Sequence, residues 1–336
     1  MDEVHPGTAT REVTLAAARP VLLVNPRSFR ASRMGMAARV AGLARDAGCD
    51  VHEVVDPPSL RAQLDQLHAR NVQLIWVFAG DGTLHAMAEY LAEEAPAWSP
   101  ALLLLAGGRA NVVPRETGGY PAMPALRRAL AALKAGQPLK EERIFTLRIA
   151  QPGRPARHGF LFAGALVEEA VRQTAASRAV GTGWWRHSWF ADPFVLLRWA
   201  VRTMVFRKPL PPYPEVTAQL EGAGELTGRV RLLVATALEM HSALYNPFAA
   251  RGSGPVRFTA ISAAAPSIWG MLPKLLKGRL DDSMDLRRGI LSGRGQRAEV
   301  RGLASYALDG EIFPADPALP LEFTAGVALR VLRPVP

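Results

Sequence analysis

The sequence predicts two domains, an N-terminal doubly wound α/β domain followed by a C-terminal antiparallel β-sandwich. Up to about residue 135, apolar strands alternate with amphipathic helices, which is typical of a mainly parallel sheet. From about residue 140, short β-type runs replace this alternation. The chain has 336 residues, 49% of them hydrophobic, so it can bury the core of two domains. We therefore predict a loosely ordered lead over 1–19, the α/β domain over 20–139 and the sandwich over 140–336, with a return of the last segment to the first domain left open.

The predicted α/β domain contains four strands and four helices. The strand at 72–78 is too apolar for a one-sided sheet and indicates a parallel strand covered on both faces. Pro57-Pro58 marks the start of the second helix. In chain order, the predicted elements are strand 21–25, helix 32–47, strand 51–55, the helix carrying Leu60, Leu64 and Leu67, strand 72–78, helix 83–94, strand 101–106 and helix 121–135.

The predicted sandwich is built from short runs that alternate or are rich in β-formers. The last run, 321–332, places Leu321, Phe323 and Val331 among the apolar residues of one face. Such runs suggest antiparallel sheets packed face to face. The runs span 144–150, 158–166, 216–222, 230–238, 255–261, 298–303, 305–313 and 321–332.

A basic amphipathic helix is predicted at 192–208, between two of these runs. Asp192-Pro193 is a typical helix start and Pro209 ends the segment. A Trp-rich stretch at 183–190 precedes it, and arginines flank its apolar stripe, as in interfacial membrane helices. An ordinary helix packed on the sandwich is an equally good interpretation. A second basic candidate, 268–280, is interpreted as structural.

Composition restricts the classes of partner. The net charge of +10 and the pI near 10.4 indicate an anionic partner, but the isolated tyrosines form no platform for nucleic-acid bases. Cys49 is the only cysteine, which excludes a disulfide framework. No signal peptide or apolar stretch of membrane-spanning length is visible. We expect a cytoplasmic protein in peripheral contact with an anionic membrane surface, and nothing in the sequence indicates its oligomeric state.

The turn Gly80-Asp81-Gly82-Thr83 lies between the buried strand at 72–78 and the next helix. Glycines let the backbone approach a ligand closely, and a helix N-terminus favours negative charge. A carboxylate at Asp81 in such a turn suits a cation, usually Mg²⁺, that bridges it to phosphate. The turn is therefore a candidate nucleotide-phosphate site, although any strand-to-helix turn can carry glycines.

Two further loops follow strands of the same predicted sheet. They are Asn25-Pro26-Arg27-Ser28 and Gly107-Gly108-Arg109-Ala110-Asn111. Ligands of parallel sheets bind at the carboxyl ends of the strands, where all three loops would meet. This coincidence favours one site built from three loops.

These motifs, in this order, resemble the diacylglycerol kinase catalytic-domain superfamily, which includes bacterial lipid kinases, sphingosine kinases and ceramide kinases. The segment Leu308-Asp309-Gly310-Glu311 adds a fourth similarity, to the family's Asp-Gly-Glu. The resemblance covers roughly 20–332. It implies an α/β nucleotide domain, a β-sandwich, an active site in the cleft between them, ATP and Mg²⁺ as cofactors, and a membrane lipid as phosphoryl acceptor.

The resemblance also implies roles for individual residues. Asp81 would organise Mg²⁺ or the acceptor hydroxyl, and Glu311 would deprotonate that hydroxyl. Without the resemblance, Glu311 would be interpreted as a solvated glutamate after a hairpin turn. The nucleotide would be bound by Asn25, Pro26, Arg27, Ser28, Gly80, Gly82, Thr83, Gly107, Gly108, Arg109 and Asn111.

Several positions depart from the family pattern. Ala79 replaces a glycine, Ala86 a frequent glutamate, Arg109 a threonine and Val112 an aspartate, while Ser253 stands where some members have an aspartate linked to a structural metal. Two alternatives to an active lipid kinase therefore stay open. One is a catalytically impaired nucleotide- or lipid-binding protein, and the other is a kinase of a soluble substrate such as NAD, whose family shares the Gly-Asp-Gly turn.

Overall fold

The structure is a computed structural model that describes residues 11–13, 19–180, 213–240, 246–265 and 286–334. It divides into two compact units. The first comprises Met1–Thr146, Leu238–Ala243 and Gly326–Pro336, and the second comprises Leu147–Ala237 and Leu244–Ala325, in each case as far as these residues are described. The predicted boundary at 139–140 falls at the start of a long strand that contributes residues to both units.

The first unit is built on a parallel sheet, as predicted. Its strands lie in the order β3-β2-β4-β5, all parallel, and the end of the last strand, β16, runs parallel beside β5. The strands are β1 (Arg11–Val13), β2 (Val21–Val24), β3 (Asp50–Glu53), β4 (Leu74–Ala79), β5 (Ala101–Ala106) and the beginning of β6 (Leu139–Ala150), with β16 at Leu321–Arg333. The helices are α1 (Met36–Asp46), α2 (Pro57–Ala69), α3 (Asp81–Glu93), α4 (Val112–Glu116) and α5 (Ala122–Lys134).

The central strands of this sheet are buried on both faces. Every residue of β4 and β5 is buried, and Trp76 and Phe78 are among the largest fully buried side chains. Such strands carry apolar residues at every position, and this is why their sequences show no alternation. Helix α2 begins at a capping box in which Asp56 and Ser59 bond reciprocally, and the Ser59 backbone N–H is the main cause of a lowered pKa for the Asp56 carboxyl group.

The second unit is antiparallel, and the predicted largely antiparallel C-terminal region is confirmed. Its main strand order is β15-β14-β8-β10-β9-β13-β16, and β11 joins β10 to β12. Phe162, Phe258 and Phe323 lie in its core, the first and last in edge-to-face contact at 4.6 Å. The strands are β7 (Arg157–Gly159), β8 (Leu161–Ala165), β9 (Glu215–Leu220), β10 (Gly224–Thr236), β11 (Val256–Ser262), β12 (Ile290–Gly295), β13 (Arg297–Arg301), β14 (Ser305–Leu308) and β15 (Glu311–Pro314). The described part of this unit also contains helix α6 (Leu166–Val180).

Some elements differ from the prediction. Helix α6, strand β12 and the short α4 were not predicted, and the lead predicted to be loosely ordered contains β1, which pairs with β6. The predicted helices at 192–208 and 268–280 and the Trp-rich stretch lie outside the described residues. Within the described ranges, no helix combines the length and the hydropathy needed to cross a membrane.

Candidate functional site

Three loops of the first unit meet at the carboxyl edge of the parallel sheet, as the sequence predicted. The backbone N–H of Asn25 donates to the carbonyl of Phe78 at 3.0 Å, and that of Gly107 donates to Ala79 at 2.9 Å. Side chains add to this network. The amide of Asn25 donates to the hydroxyl of Thr83 at 2.9 Å, and the N–H of Gly80 donates to the Ser28 hydroxyl at 2.9 Å. The loop at 25–28 and the turn at 80–83 are therefore held together by two side-chain hydrogen bonds, one from Asn25 to Thr83 and one between Ser28 and Gly80.

Asp81, the first residue of α3, holds the third loop along the chain, Gly107 to Asn111. Its Oδ2 accepts the backbone N–H of Asn111 at 3.1 Å, and its Oδ1 accepts that of Val112 at 3.2 Å. These are the first backbone donors of α4, so the carboxylate caps that short helix from a neighbouring loop. Asp81 thus has a structural function in the site in addition to any contact with a cation.

The N-terminus of α3 is open to an anion. Gly80 is the N-cap residue and has no side chain to cap the first turn. The helix dipole favours negative charge at such a position. Gly82 is exposed in the first turn, so the backbone there is accessible to a ligand.

Gly107 and Gly108 allow the second and third loops to touch. A Cβ added to Gly107 would lie 2.9 Å from the backbone of Ala79, and one added to Gly108 would lie 2.7 Å from the Cα of Gly80. Real Cβ atoms do not approach a backbone this closely. The glycines are thus needed here for contact between loops, and not only for the approach of a ligand.

Replacing Gly108 by Ala should push the two loops apart. We expect the free energy of unfolding to fall by roughly 1–3 kcal/mol, the usual cost of overpacking, together with weaker nucleotide binding. Thermal denaturation and titration with MgATP would measure both effects. Gly42 in α1 is the matched control, because a Cβ there meets nothing within 4 Å. Gly42→Ala should stabilise the helix by about 0.5–1 kcal/mol, and a Gly108→Ala protein as stable as wild type would contradict this packing argument.

Asn111 shapes the third loop from within. It is 1% exposed and has left-handed backbone angles, with φ of 52°. Its Oδ1 accepts from the N–H of Gly108 at 2.7 Å, and its Nδ2 donates to the carbonyl of Gly108 at 2.9 Å. Asn111 therefore stabilises the third loop through its side chain, and its contact with a nucleotide stays a prediction.

Arginine side chains stack on two aromatic rings beside these loops. The guanidinium groups of Arg33 and Arg109 lie 4.1 and 4.2 Å from the centre of the Phe29 ring. Those of Arg30 and Arg115 lie 5.3 and 3.8 Å from the centre of the Tyr120 ring. Such cation–π contacts restrain long side chains that would otherwise be mobile. The two rings, Phe29 and Tyr120, were not predicted from the sequence.

In the second unit, Asp309-Gly310 forms the tight turn between β14 and β15. Both residues have positive φ, and Leu308 pairs with Glu311 across the turn, as in a two-residue hairpin. The carboxylate of Asp309 accepts the backbone N–H groups of Phe160 and Leu161 at 2.9–3.1 Å. Glu311 is exposed at the start of β15. The turn thus presents Glu311 on a rigid hairpin, and its function as a base stays a prediction.

The departures from the family pattern have different consequences. Val112 contacts Asp81 through its backbone N–H, so this bond does not need an aspartate side chain. Ala86 lies half-buried in α3 and Ser253 is exposed. In the described ranges, no three His, Cys, Asp or Glu side chains are grouped to hold a metal ion. A cation at this edge would thus rely on one carboxylate and on oxygens from a ligand and from water, which is how Mg²⁺ is bound with nucleotides.

Comparisons with known proteins agree with this architecture. Residues 19–141 match the family described as the diacylglycerol kinase catalytic domain. Two solved structures of a "putative diacylglycerol kinase from Bacillus anthracis str. Sterne" have TM-scores of 0.63 and 0.62 at 16% and 17% identity. Each covers 94% of this chain, and the alignments include 96% and 97% of the compared chains. A search of curated proteins found no match. At this identity the structural similarity establishes the fold, whereas the family match covers the three loops.

Proposed function

We propose that this chain, whose residues 19–141 belong to the diacylglycerol kinase catalytic domain family, is an ATP-dependent kinase that phosphorylates the hydroxyl of a membrane lipid. The observation that carries the proposal is the convergence of three loops around the uncapped N-terminus of α3. Diacylglycerol, ceramide and a sphingoid base are the acceptors we consider. The family match and the Trp-rich basic stretch in the sequence both support a lipid over a soluble acceptor.

In this proposal, the loops bind the ATP phosphates. The first turn of α3, from Gly80 to Thr83, would contact the phosphate oxygens, with the exposed backbone N–H of Gly82 as a donor. Asn25 orients Thr83 through the 2.9 Å hydrogen bond and Ser28 fixes Gly80, so the turn is preorganised before the nucleotide binds. Phosphoryl transfer depends mainly on such positioning and on charge neutralisation, which this arrangement is suited to supply.

Mg²⁺ fits the site as an ion carried by the nucleotide. Asp81 would contribute one carboxylate oxygen, and the ion would neutralise phosphate charge when bound. Both oxygens of Asp81 accept backbone hydrogen bonds, and because a carboxylate has about four lone-pair sites, these two bonds are compatible with contact to a cation. Glu311 would accept the proton of the lipid hydroxyl, because an alcohol is a poor nucleophile until it loses that proton.

Incubation of the full chain with radiolabelled ATP, Mg²⁺ and a lipid panel tests the proposal. The panel should contain diacylglycerol, ceramide and a sphingoid base in separate vesicles, with NAD as a soluble acceptor. Label in one lipid is the expected result. Label in NAD would favour the soluble-substrate alternative, and no labelled product under any metal condition would refute the kinase proposal.

A nucleotide- or lipid-binding protein without turnover is the second candidate. It is favoured by the engagement of both Asp81 oxygens with backbone N–H groups and by the loss of an aspartate at Val112. Titration calorimetry separates the two candidates. Binding of MgATP without any label transfer in the lipid panel would support the second.

Replacing Arg109 by Thr should raise the KM for ATP. Arg109 stands in the family's threonine position, and its stacking on Phe29 at 4.2 Å holds a rigid cation beside the loops. Charge-assisted bonds to phosphate are worth roughly 1.5–3 kcal/mol, so a rise of about tenfold or more is expected in steady-state kinetics. Arg109→Lys keeps the charge without the planar fork and should fall between the two. A lower KM for Arg109→Thr would show that Arg109 obstructs the pocket.

A further inference from the structure

The segment that follows the first strand is strongly basic. Between positions 25 and 45 the sequence has five arginines and no aspartate or glutamate. Three of these, Arg27, Arg30 and Arg33, lie on the exposed surface within seven residues of one another. The charge of Arg27 is a minor cause of the lowered pKa of the Asp56 carboxyl group, whose main cause is the backbone N–H of Ser59. The surface near Arg30 and Arg33 is therefore a compact patch of positive charge.

Met34 projects an apolar side chain from the same patch. Met34 is 88% exposed. In the described ranges, the other exposed large hydrophobic residue is Leu286, at 37%. Met34 has a φ of 50° and is followed by Gly35 with a φ of 63°. A methionine rarely adopts this left-handed conformation, which asparagine or glycine would fill with less strain. An apolar group held outward in a strained turn points to a function at the surface.

The patch is rigid. The backbone N–H of Ser32 donates to Ser28 at 2.9 Å, that of Arg33 to Arg30 at 3.2 Å, and that of Met36 to Arg33 at 2.9 Å. The guanidinium of Arg33 stacks on Phe29, and that of Arg30 lies over Tyr120. Because the cations are already restrained, little conformational entropy is lost when they bind a charged surface.

We propose that residues 27–36, the arginine–methionine turn, dock this protein on an anionic lipid surface. Arg30 and Arg33 bind lipid phosphates, while Met34 enters the boundary between headgroups and acyl chains. An exposed apolar residue among arginines fits such a surface better than it fits a nucleic acid, which offers no apolar layer to the methionine. The inference deepens the proposed function by locating where the membrane that carries the acceptor is bound.

The turn is directly connected to the phosphate loops. Ser28 holds the N–H of Gly80, and the backbone N–H of Arg30 donates to the carbonyl of Gly107 at 2.8 Å. A membrane bound by this turn would therefore lie beside the edge of the sheet at which the loops meet. Docking would increase the local concentration of lipid at that edge.

Flotation of the full chain, without nucleotide, on vesicles of phosphatidylcholine with and without phosphatidylglycerol tests the inference. Wild type should float only with the anionic lipid, and added NaCl should weaken binding. The double variant Arg30→Gln with Arg33→Gln should raise the apparent Kd for the vesicles by about 30-fold, because each basic residue contributes about 1 kcal/mol to binding. Met34→Asn suits the left-handed turn and removes the apolar group, so it should weaken binding by about tenfold without lowering the Tm.

The matched control removes the same charge elsewhere in the first unit. Arg127 and Lys134 are exposed on α5, and Arg127→Gln with Lys134→Gln should leave flotation nearly unchanged. Equal losses in both double variants would show that the net charge alone binds the vesicles, and would overturn the inference. So would wild type that binds a short duplex DNA but no vesicles. A thermal shift with MgATP reports the proposed kinase site separately, so wild type with a shift but no flotation refutes docking and leaves the proposed function standing.

Discussion

Asp81→Asn should reduce lipid phosphorylation by at least about 100-fold, because it removes the one carboxylate in the three-loop network. It should also loosen the third loop. An asparagine has a single acceptor oxygen, so either Asn111 or Val112 loses the partner of its backbone N–H. Losing one hydrogen bond to a charged group costs roughly 1.5–3 kcal/mol, which predicts a lower Tm with the overall fold retained. Radiolabel transfer and thermal denaturation measure the two effects.

Asp65→Asn is the control for this substitution. Asp65 lies in α2 of the same unit, outside the three loops, and accepts a hydrogen bond from the Tyr90 hydroxyl at 2.7 Å. Burial, followed by the hydrogen bond to Asp65 and the charge of Asp65, raises the pKa of Tyr90 to about 12. We expect Asp65→Asn to lower the Tm slightly and to leave turnover unchanged. An Asp81→Asn protein with wild-type turnover would show that this carboxylate is only a helix cap.

The parallel sheet could be predicted because its strands are apolar at every position. The run at 72–78 corresponds to β4 at Leu74–Ala79, and the run at 101–106 to β5. Their order in the chain, separated by amphipathic helices, leaves few alternatives to a parallel sheet. The carboxyl-edge position of the three loops then follows from topology alone.

Helix α6 could not be predicted because the chain turns at a residue that gives no turn signal. The run at 158–166 was interpreted as one strand, but β8 ends at Ala165, whose φ is 57°, and the helix begins at Leu166. An alanine in a left-handed conformation is imposed by tertiary packing. Strand β12 was missed for a related reason. It contains Gly293, and a glycine weakens the sequence pattern of a strand. Glycine is favoured here because a Cβ would lie 3.0 Å from the carbonyl oxygen of Arg251.

The site was predicted in its parts and not in its connections. The loops that carry Asn25, Gly80 and Gly107 were identified from glycines, a strand end and the family resemblance. The two bonds from Asp81 to the third loop have no sequence signature, because the donors are backbone N–H groups that every residue type except proline provides. Phe29 and Tyr120 are single aromatics in loops, and only their stacking with arginines distinguishes them from other surface residues.

Glu311→Gln should slow lipid phosphorylation by about 100-fold or more, the usual contribution of a general base, if Glu311 accepts the proton of the lipid hydroxyl. The fold should be unchanged, because Glu311 is exposed and the hairpin is held by Asp309. The exposed Glu221 is the matched control, since Glu221→Gln removes the same charge from the same unit and should leave turnover intact. Asp309→Asn supplies the structural comparison, because it weakens the bonds to Phe160 and Leu161 and should lower the Tm, whereas Glu311→Gln should not. Steady-state kinetics beside thermal denaturation therefore separates a lost base from a displaced hairpin, and full activity in Glu311→Gln would mean that another group removes the proton.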